Sequence, residues 1–240
     1  MPAFAPWLDT LRQLFGEDPT ALALAWARAM PLVIIVPAFG LGAVAAPVRV
    51  ALGLGIAGAI APALRGSVDS SVPFWLALLR EAASTLPLAL GTAAILWAAV
   101  MAGGLVDNLR GAHEGTELPV LGEPATPLGA LFGLLVLLGF LETGGAERVA
   151  RALAAPRLES SFAVAAERLA DSAGIAVAIA APLVAASILL ELASAFVARA
   201  ASPAYVAPLV APVRSFGVLF VVWLALERVV ELLVVLAARA

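Results

Sequence analysis

With one histidine and no cysteine, the chain leaves chemistry to its acids, arginines and hydroxyls. His113 alone cannot supply the paired imidazoles of a metalloenzyme, and no thiolate is present to complete a metal site. Ser84 and Thr85 follow Glu81, but no histidine lies nearby in sequence to take a proton from either hydroxyl. A Gly-x-Ser-x-Gly turn is absent. All 14 basic residues are arginine, so a phosphate-cradling loop ending in Lys-Ser/Thr cannot exist. The sequence therefore reads as non-enzymatic, with no cofactor and no metal, and His113 reads as a loop residue.

What remains is charge in unusual places. Arg28, Arg49, Arg80, Glu81, Glu191, Arg199, Arg214, Glu227, Arg228 and Glu231 lie inside or at the ends of long apolar runs. A charged side chain facing lipid at the centre of a span costs about 2.5–3.5 kcal/mol on insertion scales. Arg49 and Arg214, one turn into their runs, can snorkel. Glu81 and Glu191 are too short for that and need partners or a wet cavity. Three readings stay open: ion pairs between helices, a proton or solute path, or a sheath of neighbouring subunits in place of lipid. A second concentration of charge is DNLRGAHEGTELPVLGEPATPLG, residues 107–129, with Asp107, Arg110, His113, Glu114, Glu117 and Glu123 among helix-stopping glycines and prolines.

The elements that must hold these residues are apolar helices. The chain is 63% hydrophobic and 13% charged, with a mean hydropathy of +1.05. A soluble domain carries about a quarter charged residues. The fold class expected is an all-α polytopic membrane protein, one membrane domain over residues 1–240 with no soluble domain. Six apolar blocks are legible, at about 21–39, 46–64, 73–106, 125–141, 173–198 and 204–236. The third would be about 50 Å long, against a hydrocarbon core of about 30 Å, so it must bend, at Pro87, or project beyond the bilayer. Pro182 should kink the fifth. The glycines of GLGIAG, 53–58, favour close helix packing. Ala-Pro-Val-Arg recurs at 46–49 and 211–214, a repeat explained by proline in a first helical turn.

Residues 1–20 do not read as a cleavable signal peptide, and PWLDTLRQLF within them reads as an interfacial amphipathic segment. Residues 142–172 form a polar amphipathic region with Arg148, Arg151, Arg157 and Arg168 among five acids. If all six blocks cross, the arginine distribution places the N-terminus, 65–73, 142–172 and the C-terminus on the cytoplasmic side. The net charge of −3 argues against a nucleic-acid surface.

The middle of the chain, MAGGLVDNLRG followed by TPLG and then TGG, resembles the SctT family of type III secretion export apparatus, homologous to flagellar FliR. The matching residues are Asp107, Asn108, Arg110 and Gly111, then Thr126, Pro127, Leu128 and Gly129, then Thr143, Gly144 and Gly145. The flanks agree in order, through Pro37, Phe39, Pro47 and Arg49, and through Pro182, Glu191, Arg199, Pro203, Pro212, Arg214 and Ser215. The similarity covers roughly residues 28–220. The family usually has Asp where Glu191 stands and Pro-Gln-hydrophobic-Asn where this chain has PAYVAP, and this chain's loop at 112–124 is short of bulky apolar residues compared with relatives. The Asp-Asn-x-Arg-Gly form favours the virulence-type branch.

The resemblance implies a single-copy T subunit in the bacterial inner membrane, assembled with R and S subunits, in contact with U and V subunits and the inner rod or needle. Its cargo would be unfolded secreted proteins. It also implies that the loop at 107–124 projects into a central channel as a plug, where an ordinary solvated connection is the plainer alternative. A small proton-coupled transporter using Glu81 or Glu191, and a non-conducting membrane scaffold, are the other functions the sequence leaves open.

Overall fold

The computed structural model describes residues 19–40, 46–64, 72–109, 111, 115–117, 124–155, 161–201 and 207–238. Its helices are α1 (Pro19–Ile35), α2 (Pro37–Gly40), α3 (Ala46–Ile60) with a 3-10 turn (Ala61–Leu64), and α4 (Phe74–Leu109). After two short strands, β1 (Thr116–Glu117) and β2 (Pro124–Ala125), follow α5 (Pro127–Glu142), α6 (Gly145–Ala154), α7 (Phe162–Ala200) and α8 (Ala207–Ala238). The expected interfacial segment lies outside the described residues except for Pro19 and Thr20, which open α1.

Among the described residues each apolar block is largely helical, the first broken at Val36 and the fourth beginning at Pro127, and the fold is the expected all-α membrane architecture. Proline sets several boundaries. Pro37 holds Val36 out of helical geometry and separates α1 from α2. Pro127 opens α5 at a first-turn position, where its missing N–H loses nothing. The third block is one helix of 36 residues that continues through Pro87. It is about 54 Å long at 1.5 Å per residue, so of the two outcomes expected for this block its length permits extension past a bilayer core. The fifth block likewise continues through Pro182, and its helix begins at Phe162, inside the region expected to be polar and amphipathic. Earlier in that region lies α6, with Val149 and Leu153 buried and Glu147 and Arg151 paired on the exposed side, and residues 156–160 lie outside the described residues.

Among the described residues, three helices can cross a membrane by length and composition: Ala46–Leu64, Phe74–Leu109 and Phe162–Ala200. The pair α5 and α6 passes only jointly, interrupted at Thr143 and Gly144, where Gly144 takes the left-handed φ of 74° that glycine tolerates. α1, at 17 residues, is apolar but shorter.

The chain divides into two compact units, residues 1–93 with 144–168, and residues 94–143 with 169–240. In the first, α1 packs along α3, and α6 packs on α3 and the 3-10 turn. Leu32, Val33, Ile60, Leu64 and Leu153 are buried there. In the second, α5 packs along α8, with Gly139 against Ala237 and Val234, and Phe132, Phe140, Leu183 and Leu233 are buried.

The glycines of α3 separate into two kinds. A Cβ at Gly53 would sit 3.3 Å from Met30 Sδ and 3.4 Å from Trp26 Nε1, whereas at Gly55 it would meet nothing within 4 Å. Gly53→Leu is therefore expected to destabilise the isolated protein by about 1–3 kcal/mol through overpacking, and Gly55→Leu to leave it unchanged. Thermal unfolding in detergent checks the pair; equal shifts would refute the α1–α3 contact.

Candidate functional site

The polar loop grows from a junction between the end of α4 and the start of α5. Pro127 has no N–H, so the first free backbone donor of α5 is Leu128 N–H. Thr126, the N-cap residue, makes no side-chain capping bond, and its buried hydroxyl has no hydrogen-bond partner among the described residues. The cap comes from the preceding helix. Leu128 N–H donates to Asp107 Oδ2 at 2.6 Å, and both groups are buried. A carboxylate at a helix N-terminus accepts a charge-assisted bond and meets the positive end of the helix dipole.

Glycines make this reach possible. A Cβ at Gly103 would fall 2.6 Å from the Gly129 nitrogen and closer still to the Leu128 carbonyl, and a Cβ at Gly129 would fall 2.9 Å from both Val100 O and Thr126 Oγ1. The two backbones are in direct contact. Val100 packs beside them against Ala125 and Ala130. Farther along the loop, β1 and β2 pair antiparallel, Thr116 with Ala125 and Glu117 with Pro124. Asp107 and Asn108 thus lie at the end of α4, Asp107 buried and Asn108 exposed, and Gly111 turns the chain with φ of 79°. Arg110, His113, Glu114 and Glu123 lie outside the described residues, as does the side chain of Glu117, so the expected Asp107–Arg110 pairing falls there too. The base of the loop is held by Asp107 acting on backbone.

The charges expected inside the apolar blocks take several positions. Glu81 is bound by Arg28, whose Nε and Nη2 reach Glu81 Oε2 at 2.8 and 2.6 Å. Arg28 is buried and Glu81 keeps 25% of its side-chain exposure. Arg28 Nη1 also donates to the carbonyls of Leu153 at 2.9 Å and Ala155 at 2.7 Å, capping the C-terminus of α6 from α1. One guanidinium therefore ties three helices of the first unit. Arg49 is partly buried on α3, and Arg80 is exposed on α4. Glu191 and Arg199 are exposed on α7, and Arg228 bridges Glu231 at 2.8 Å on the exposed side of α8. The side chain of Arg214 is outside the described residues.

Two features escape a reading of the sequence. Arg28 is visible as a charge in the first block, but two of its acceptors are backbone carbonyls, which leave no mark in residue types. The clasp of Gly103 on Gly129 does leave one, since both glycines lie within four residues of the Asp-Asn and Thr-Pro motifs they join.

Removing one side of each contact should be costly. Glu81→Ala strands a buried guanidinium and is expected to destabilise by up to about 3–5 kcal/mol, toward the lower end because Glu81 is partly hydrated. The double variant Arg28→Met/Glu81→Met should recover part of that loss in a thermal double-mutant cycle, the remainder being the cost of leaving the Leu153 and Ala155 carbonyls without their donor. Asp107→Ala leaves Leu128 N–H without its acceptor and is expected to cost about 1–3 kcal/mol in the same assay; no loss would refute the cap.

Comparison with curated proteins finds no match. The chain does match the family model of the bacterial export proteins, family 1, and the match extends over residues 20–240. It takes in the Arg28 hub, the Asp107 clasp and all the apolar helices from Thr20 onward, so it embraces both compact units. The chain therefore belongs to the bacterial export proteins, family 1, the family of SctT and FliR, and is a multi-pass inner-membrane component of a bacterial export apparatus.

Proposed function

We propose that the chain is the T subunit of a type III secretion export apparatus, of the virulence type, present as one copy and forming part of the inner-membrane gate for unfolded substrates. Its partners are R and S subunits, with the U and V subunits and the inner rod or needle adjoining. The chain forms one membrane domain, and its loop at 107–124 is a channel plug.

The observation that carries this reading is the cover missing from α7. Its most apolar stretch has a mean hydropathy of 2.4, yet only 22% of it is buried by the chain itself. Lipid would serve the exposed Val177, Ile188, Leu189, Phe196 and Val197. It would serve Glu191 and Arg199 badly, and both are exposed on the same helix. Neighbouring protein and a water-lined conduit suit both sets at once. The plug role draws support from the loop's mounting: irregular backbone at membrane depth is tolerated where protein or a wet cavity surrounds it, and this loop starts from a clasped, buried junction. A polar loop in a pore restricts small solutes and yields to a passing chain.

Purification from the native membrane is expected to bring down several copies of two smaller membrane proteins with one copy of this chain; a stable monomer without partners refutes the assignment. Deletion of residues 112–123 is expected to raise ion leakage through the assembled complex, and unchanged conductance removes the plug.

A further inference from the structure

A junction at the root of a channel loop can be a hinge, which opens as cargo passes, or a fixed mount. The two demand different contacts. A hinge needs space between its arms, or a residue free to change its backbone angles, or bonds that water readily replaces. Where α4 meets α5 the arms have no space between them. Gly103 lies against Leu128 and Gly129, and Gly129 lies against Val100, with backbone touching backbone. The bond across the junction, Asp107 to Leu128 N–H, is buried on both sides, and separation would leave a carboxylate and a helix-terminal N–H without each other in an apolar setting. The residue that does adopt a left-handed backbone, Gly111, stands on the loop side of Asp107, beyond the clasp.

We propose that this junction is a static mount: Gly103, Gly129 and Asp107 hold α4 to α5 through the whole export cycle, and Asp107 is a positioning residue for the loop that is never released. The proposal rests on the export-gate reading above.

The chain has no cysteine, so a pair introduced at Val100→Cys and Ala130→Cys is its only possible disulfide. The full-length double variant replaces the wild-type chain in its host, and secretion is measured with and without oxidant, with each single cysteine as a control. Complete cross-linking with secretion within about twofold of the reduced state is expected. A block of more than tenfold that a reductant reverses would overturn the static mount, because the arms would then have to part. Secretion that persists without the chain at all would overturn the export-gate reading and the mount's role together. Asp107→Ala supplies a readout independent of the disulfide. Complexes that assemble with it are expected to leak ions several-fold more than wild type, while Asp107→Asn, which retains an acceptor oxygen, stays sealed. Equal conductance in assembled Asp107→Ala and wild-type complexes would overturn the positioning role.

Discussion

A polar group removed from water must find its partner inside the protein, and among the described residues two buried side chains, Asp107 and Arg28, meet that demand at helix ends. Asp107 brings a carboxylate to a helix start whose first residue, proline, has no donor and whose own N-cap side chain makes no capping bond. Arg28 brings a guanidinium to a helix end whose last carbonyls would otherwise lack donors. One caps an N-terminus with negative charge and the other caps a C-terminus with positive charge, so both agree with the helix dipole they meet. Each does so from a different helix than the one it caps. Helix ends that are normally closed locally thus become points of tertiary attachment, and the packing of each unit is fixed around them.

How much of this the sequence reveals depends on which atoms make the contact. The six apolar blocks and their helical state follow from runs of apolar residues, and Pro37 and Pro127 mark boundaries that the structure keeps. Asp107 stands out because an acid is rare at the end of such a run. Its acceptor role toward Leu128 N–H does not, since every residue but proline offers an N–H and the choice depends on where the backbone returns. The natural local partner in sequence, Arg110, is outside the described residues, and the contact that structure reveals is 21 residues away. Pro87 and Pro182 invite the expectation of kinks, and both lie inside continuous helices, where each proline removes one hydrogen bond from a ladder that many others sustain. The Arg28–Glu81 pair is legible as unlike charges in the first and third blocks, but nothing in the residue types singles it out from Arg49 or Arg80.

The surfaces of α7 and α8 carry a different message. Large apolar side chains such as Phe196, Phe216, Phe220 and Trp223 stand exposed, the last two stacked at 5.7 Å, among Glu191, Arg199, Glu227 and Arg228. A lipid-facing helix has few charges and a soluble one has few such rings. Subunit interfaces accommodate both, with apolar cores and charged rims. Membership of an export-protein family and this mixed surface point the same way: the chain is shaped to be one part of an assembly.

The Arg28 hub also sets an order of events for the newborn chain. Arg28 leaves the ribosome 53 residues before Glu81 and 125 residues before the Leu153 carbonyl it caps. At about 5–20 residues per second, that is roughly 3–10 s before its counter-ion and 6–25 s before its last acceptors. During that interval the first apolar helix carries a bare guanidinium and is best accommodated where water still reaches it. Only when the later segments arrive can α1 settle among its neighbours, so α1 is locked in place after α4 and α6 have been made.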